Sequence, residues 1–413
     1  MEGVSVVSDY DIIIAGGGMI GTSFALALAP LGLRITVVEA VARAASEQPS
    51  FDERSTALSR SSQRMYTAMG LWDEIRSAAT PIRSIHVSEK GRFGFSHIDA
   101  EEQGVEALGY VVINRVLGGV LQAALEEQDN IEFICPARIT GVQSDDDSVV
   151  TCVDEDGTTR NISGRLLVAA DGARSTVREM LGISATHLEY DQHAVIGNLL
   201  TEKPHANRAF ERFTDAGPLA LLPIENDRAS FVWILSSCAV GRVLALDDES
   251  FTEELQEAFG LRLGRFSKVG TRVAYPLGLS KANGLIVNRG VLIGNAAHGL
   301  HPVAAQGFNL GLRDVAALSD CISESRVNGG IDPGDAGVLE EYASWRRADQ
   351  GKLVHFTDGI VRLFGSRLPA VRTLRNVGML GFDVIPGVRT LFAKHTMGLA
   401  GKLPRLSRGV PLE

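Results

Sequence analysis

Cysteine is scarce in this 413-residue chain: there are four, at positions 135, 152, 238 and 321. No two are close enough for a CxxC pair or for zinc-ligand spacing. A disulfide-stapled secreted domain is therefore excluded, and a reduced, intracellular protein is expected. Basic residues are outnumbered, 40 Lys+Arg against 50 Asp+Glu, for a net charge of −10. That balance gives nucleic acid no part as the main partner. Gly (44) and Pro (14) are too few, and hydrophobic residues at 45% too many, for a disordered or collagen-like chain. No GxSxG occurs, so a hydrolase nucleophile finds no support. Internal repeats, low-complexity segments and heptads are missing too. At this length two domains are the natural expectation.

One long apolar stretch is present. Residues 12–33 carry no charge and are numerous enough to span a bilayer. Yet Glu2, Asp9 and Asp11 precede them where a signal peptide wants positive charge, and the stretch holds a glycine run and Pro30. A buried strand, turn and helix explain it better. Tyr10–Ala15 reads as a strand, Thr22–Leu31 as a helix ended by Pro30 and Gly32, and 33–39 as a second strand: a βαβ unit and hence a parallel sheet. Residues 82–98 alternate like paired strands, 116–127 read as a helix, and 131–170 holds four short strands. From 193 to 279 the pattern is strand-like, with one helix at 247–259. The remainder, 337–413, is mainly helical. A doubly wound part is thus interleaved with an antiparallel part.

Chemistry concentrates in three places. Gly16-x-Gly18-x-x-Gly21 lies between the first strand and the first helix. Gly16 permits a tight turn, Gly18 lets a pyrophosphate approach the backbone, and Gly21 lets the helix pack closely. The helix N-terminus offers free N–H groups to phosphate, and Glu39 ends the next strand where a carboxylate meets the ribose of an adenosine. The second place is GVLIGNAAHGLHPVAAQGFNLGLRD (290–314). A strand ends at Gly294-Asn295, and a helix opens at Gly307, so the N–H groups of Gly307, Phe308 and Asn309 could meet the pyrimidine edge of an anionic flavin. The third is LLVAADGARSTVR (166–178), with Asp171-Gly172 after an apolar strand; taken alone it also reads as an ordinary turn. His298 and His301 form an HxxH pair, but no third ligand accompanies them, and no metal is expected.

Together these motifs resemble the single-component FAD-dependent aromatic hydroxylases. FDERSTALSRSSQRMYTAMGLW (51–72), AFERFTDAGPLALLPI (209–224) and GNAAHGLHPVAAQGFNLGLRD (294–314) look like the ubiquinone-biosynthesis hydroxylases, in particular the 2-polyprenyl-6-methoxyphenol hydroxylase branch. The resemblance covers almost the whole chain. It implies an α/β fold: a Rossmann-like FAD-binding domain (1–80, 99–185 and 280–336) interleaved with an antiparallel-sheet substrate domain (81–98 and 186–279), plus C-terminal helices (337–413). It implies that Gly16, Gly18, Gly21 and Glu39 hold the adenosine diphosphate half of FAD. Arg54 and Arg115 would contact ribose or phosphate, and Asp171 and Gly172 would lie along the dinucleotide. Gly294 and Asn295 would meet the ribityl or pyrophosphate region, and Pro302 and Gly307–Asn309 would border the isoalloxazine. Many members carry Asp where this chain has Asn295; Asn keeps the hydrogen bonds and drops the charge.

The implied reaction uses NAD(P)H, a transient co-substrate for which no second GxGxxG is present, and dioxygen, with a flavin hydroperoxide hydroxylating the polyprenyl phenol. No side chain is implied as the reacting group. The strands of 193–279 could wall an apolar pocket with Leu221, Leu222, Pro223, Phe231 and Trp233, which read equally well as plain sheet core. Arg208, Arg212, Arg228 and Arg242 leave open a carboxylated aromatic acid as substrate. A prenyl-chain reductase and an FAD-loaded scaffold subunit that does not turn over stay open as well. Residues 362–413 hold nine Lys/Arg against Asp383 and Glu413. Such a tail can lie on an anionic membrane, dock on an acidic partner of quinone biosynthesis, or cover the acidic body. A cytoplasmic protein, peripheral on the inner membrane in the first case, is expected.

Overall fold

A computed structural model of the chain describes residues 8–42, 54–92, 95–299, 306–330, 332–347, 349 and 388–412. In chain order these give β1 (Tyr10–Ala15), α1 (Met19–Leu28), β2 (Ile35–Val38), β3 (Ser55–Ser59), α2 (Arg60–Ala68), α3 (Trp72–Arg76), β4 (Thr80–Ile82), β5 (Ser84–Glu89), β6 (Phe95–Asp99) and β7 (Gly109–Ile113). Next come α4 (Asn114–Glu126), β8 (Ile131–Ile134), β9 (Arg138–Ser144), β10 (Val149–Glu155), β11 (Thr158–Ala169), α5 (Thr176–Met180), β12 (Ala185–Thr201), β13 (Arg208–Phe213), β14 (Pro218–Pro223) and β15 (Arg228–Ser236). The rest are α6 (Ser237–Leu244), α7 (Asp248–Phe259), β16 (Phe266–Ser267), β17 (Val273–Ala282), β18 (Ile286–Val287), β19 (Gly290–Leu292), β20 (His298–Gly299), α8 (Gln306–Val327), α9 (336–347) and α10 (Val388–Thr396).

β1 lies at the centre of a parallel sheet because its neighbours leave it no wet face. Ile12, Ile13 and Ile14 are fully buried, as are Val37, Leu166, Leu167 and Val168, the unbroken apolar run expected of strands covered on both sides. The order is β18-β19-β11-β1-β2-β8, with β10 and β9 continuing from β11. β19, β11, β1, β2 and β8 all run parallel. α1 packs between this sheet and α4 and α8. It begins at Met19, three residues before the expected Thr22, and residues 29–31 leave it as a 3-10 turn. The early start follows from Gly21. Packed against Gly16, it sits inside the helix, so the glycine run caps the helix and Pro30 ends it.

The second sheet has nine strands, ordered β20-β17-β12-β15-β14-β13-β5-β6, with β16 beside β12. It is antiparallel except at β13–β5. One face carries Val195, Leu219, Leu221, Phe231 and Trp233, which pack with Phe251, Leu255 and Phe259 of α7 into a separate core. The other face turns toward the small β3-β7-β4 sheet: Ala209 packs with Ile82, Val111 and Ile224, and Leu222 joins them. α10 closes one end, where Ala393 and Met397 meet Ile98 and Leu108.

The described part of the basic tail lies on the body. Arg389 pairs with Glu102, Lys402 lies 3.9 Å from Glu341, and Asp320 accepts from the Arg405 N–H at 3.1 Å. Residues 362–387 lie outside the described residues. Among the described residues no helix is long and apolar enough to cross a membrane, and all four cysteines are free.

Candidate cofactor site at the carboxyl edge of the parallel sheet

The parallel pairing brings four strand ends to one edge. Ala15 is level with Val38 on one side and Ala169 on the other, and Ala169 is level with Leu292. The next residues in the chain, Gly16, Glu39, Ala170-Asp171 and Ile293-Gly294, therefore line one crevice. This is where open parallel sheets bind ligands.

Sterics explain the glycines. Gly16 has φ +101°, and a Cβ there would lie 2.6 Å from the Ala170 carbonyl oxygen. A Cβ on Gly21 would lie 1.9 Å from the Gly16 carbonyl oxygen. Gly18 caps α1 in extended conformation and has no capping side chain of its own, and the first turn of α1 holds no acid. The amino end of α1 thus turns its partial positive charge toward an anion in the crevice. Glu39 is buried, and its carboxylate accepts from the N–H of Gly17 and of Val41, both at 2.7 Å. It is fixed at the tip of β2, beside the glycine loop.

The other two loops are tied together. Asp171 accepts from the Ser175 hydroxyl, and from the Val177 N–H at 3.1 Å. Its carboxylate shapes the turn into α5, and Gly172, at φ +90°, completes that turn. Arg178 is buried and donates to the carbonyls of Ala173 (3.3 Å) and Ala296 (3.1 Å), joining the Asp-Gly loop to the Gly-Asn loop. Gly294 donates its N–H to Asp314 of α8 at 2.9 Å, while the Asn295 side chain is exposed at the same edge.

Asp314 is the centre of a buried charge cluster. It also accepts from His298 Nε2 at 2.5 Å and from Arg346 Nε at 2.6 Å. Arg346 reaches Asp349 as well, which Arg313 holds at 2.9 Å. Burial on its own would raise the Asp314 carboxyl, but the His298 and Arg346 charges outweigh it and hold the group down at about 2. His298, half of the HxxH pair, is thus committed to Asp314; His301 lies outside the described residues, and so does Pro302.

The two arginines meet at one corner, since the Asn114 N–H, at the start of α4, bonds to the Arg54 carbonyl at 2.8 Å. Arg115 is exposed there, and the Arg54 guanidinium stacks over Tyr275 at 4.7 Å. Gly307, Phe308 and Asn309 form the first turn of α8. The Asn309 side chain is tied to β3 and α2. Its oxygen accepts from the Ser59 N–H (2.8 Å) and the Ser62 hydroxyl (2.7 Å), and its nitrogen donates to the Ala57 carbonyl (2.8 Å).

Comparison with known proteins decides the family. Residues 9–357 match the FAD binding domain family. Ubiquinone hydroxylase UbiL of Rhodospirillum rubrum is 39% identical, over 97% of this chain and 93% of that protein. The 3-demethoxyubiquinol 3-hydroxylase of Escherichia coli is 31% identical, over 94% and 98%. The chain belongs to the FAD-dependent ubiquinone hydroxylases. Among solved structures, p-nitrophenol 4-monooxygenase PnpA from Pseudomonas putida superposes on this hydroxylase with a TM-score of 0.78 at 19% identity, covering 95% of this chain and 98% of that one. PqsL from Pseudomonas aeruginosa gives 0.71 at 22%, covering 90% and 99%. At these identities the likeness is one of fold.

The crevice of this hydroxylase fits FAD by shape and charge. A glycine turn that any Cβ would fill, a helix end opened by glycine and a fixed carboxylate are what a pyrophosphate and an adenosine ribose require. Strand alternation divides the five residues expected to wall a substrate pocket. Leu221, Phe231 and Trp233 face α6 and α7 as core, Pro223 shares the side of Leu221, and Leu222 alone turns toward β3-β7-β4. Sequence reading passed over Arg178, Asp314 and Gly311. Gly311 lets α8 pass 3.3 Å from the Gly294 backbone, measured from where its Cβ would be. Its signal was present, as a glycine inside a helix seldom lacks a packing reason.

Proposed function

We propose that this hydroxylase oxidises the ring of a polyprenylated methoxyphenol in ubiquinone biosynthesis, with NAD(P)H and dioxygen as co-substrates. Gly16, Gly18 and Gly21, at the start of α1, would hold the FAD pyrophosphate and Glu39 the adenosine ribose. Arg54 and Arg115 would add charge from their shared corner. Gly172, Gly294 and Asn295 would line the dinucleotide, and the backbone of Gly307–Asn309 would meet the flavin ring. The parallel sheet and its helices serve in this reading as the FAD domain, and the nine-stranded sheet as the substrate domain. Bound and reduced, FAD supplies the activation of dioxygen; the chain supplies orientation and a site shielded from water.

One observation carries the choice of substrate: a strip of the inward face of the nine-stranded sheet is apolar and the candidate arginines are engaged elsewhere. Ile196, Val232 and Ala220 pair across β12, β15 and β14, and Leu222 lies on the same side. Arg208 and Arg212 lie on the opposite face, bonded to Ser84 and the Ala258 carbonyl. Arg242 pairs with Glu254 at the surface, and Arg228 is held at its turn by the Glu225 carbonyl. A carboxylated acid would find no cation among them, whereas a neutral ring with a hydrocarbon tail suits such a wall. The test is coupling in the FAD-loaded protein. A short-chain 2-prenyl-6-methoxyphenol should raise NAD(P)H oxidation at least tenfold, with one dioxygen consumed per NAD(P)H. A benzoate that stimulates while the phenol does not would overturn the assignment.

A further inference from the structure

On the inward face of the substrate sheet an ionisable group, Glu211, has no binding partner among the described residues. Along β13 the side chains alternate. Arg208, Phe210 and Arg212 face α7, so Ala209, Glu211 and Phe213 face inward, where Ala209 packs toward β4 and β7. Glu211 is level with Ala220 of β14 and Val87 of β5. Ala220 is level with Val232, and Val232 with Ile196. The row is therefore Val87, Glu211, Ala220, Val232, Ile196: a half-buried carboxyl in an apolar strip. Among the described residues it has no hydrogen-bond or ion-pair partner.

The charges around it do not change that. Arg208 and Arg212 point away. Glu89 is one position further along the same face of β5. α10, which covers Ile85 and Ile98 at the sheet end, carries Arg389, Lys394 and His395, with Arg389 paired to Glu102. Burial alone pushes the Glu211 carboxyl up to about 7. An unpaired carboxyl among apolar side chains costs stability and does nothing for the fold. On a wall meant for a substrate, it is placed for a proton.

We propose that Glu211 is a catalytic residue that accepts the hydroxyl proton of the substrate phenol. The inference rests on the phenol-hydroxylase reading above. As the ring carbon bonds to one atom of dioxygen, the ring O–H bond breaks. The proton passes to Glu211, and the electron pair enters the ring. Loss of the hydrogen on the attacked carbon restores aromaticity, and Glu211 returns its proton to the ring oxygen. The second oxygen atom leaves as water, its electrons supplied by NAD(P)H. Glu211 acts as a base only when ionised, so the rate falls as pH drops through about 7.

The test uses the FAD-loaded protein, Glu211→Gln and Glu211→Asp. The probes are a short-chain 2-prenyl-6-methoxyphenol and its O-methyl ether. Wild type should show the acid limb near pH 7 and bind the phenol about tenfold more tightly than the ether, read by perturbation of the flavin spectrum. Glu211→Gln should lower kcat on the order of 10²-fold, lose the limb and lose the phenol preference. Glu211→Asp should keep the limb and recover part of the rate. A Glu211→Gln variant with unchanged kcat, limb and preference would overturn the proposal while leaving the phenol-hydroxylase reading intact. A wild type that oxidises no phenol and prefers the ether would sink both.

Discussion

Asp314 shows what single residues do in this protein. Its carboxylate joins the Gly294 N–H, His298 and Arg346, so one group fixes the loop after β19, the start of β20 and α9. Its carboxyl is lower in the folded chain than in the unfolded one. The stability it contributes is complete above about pH 4 and is lost as pH falls toward 2, amounting to about 2 kcal/mol. Asp314→Asn should cost about 3 kcal/mol at pH 7, by leaving buried cations uncompensated. It should also flatten the acid limb of a thermal-stability profile between pH 4 and 2; an unchanged limb would mean that other groups carry it. None of this was legible beforehand. Arg346 is far from Asp314 in the chain, and such a pair leaves no local spacing to read. The glycines were legible because each steric need falls within one turn. Arg178 ends the LLVAADGARSTVR motif, yet its two carbonyl partners are set by tertiary packing.

Among the elements, the βαβ unit was the most legible, since β1 ends in the apolar run 12–15, β2 is β-branched throughout, and the glycine turn follows β1. The boundary of α1 was misjudged because Gly21, a poor helix former, is inside the helix. Propensity gave way to contact with Gly16. Gly21→Ala tests that contact. A Cβ 1.9 Å from the Gly16 carbonyl oxygen forces α1 away from β1 and opens the phosphate turn. The variant should be purified with little FAD and a thermal midpoint that added FAD no longer raises; retention of stoichiometric FAD would contradict the cradle. The antiparallel strands were legible as strands, but not by face. Both sides of β14 and β15 are apolar, and alternation cannot say which side receives helices. α6 and α7 settle it, and they send Phe231 and Trp233 to the core.

At the scale of the whole molecule, two sheets meet across β3-β7-β4, and the chain's last described segment closes one end. Residues 388–412 belong to the body: Ala393, Met397 and Leu406 are buried, and Arg389 and Lys402 lie against acids. Of the three sequence readings of the tail, covering the acidic body describes this part. A membrane contact, proposed here because a polyprenyl phenol dissolves in lipid, would fall to Arg362, Arg367, Arg372 and Arg375. Changing these four to Glu should abolish co-sedimentation with anionic phosphatidylglycerol vesicles while leaving the melting temperature within a few degrees. Undiminished sedimentation would remove the charge-based contact.

Ring hydroxylation by an FAD-dependent monooxygenase is decided by the fate of the oxygen. The FAD-loaded protein, NAD(P)H and a short-chain 2-prenyl-6-methoxyphenol are incubated under isotopically heavy dioxygen, and the products are read by mass spectrometry. The product should be a phenol carrying one labelled oxygen atom on the ring, formed at a rate matching NAD(P)H loss. A product with unlabelled oxygen, or NAD(P)H loss with the phenol recovered unchanged, would contradict it.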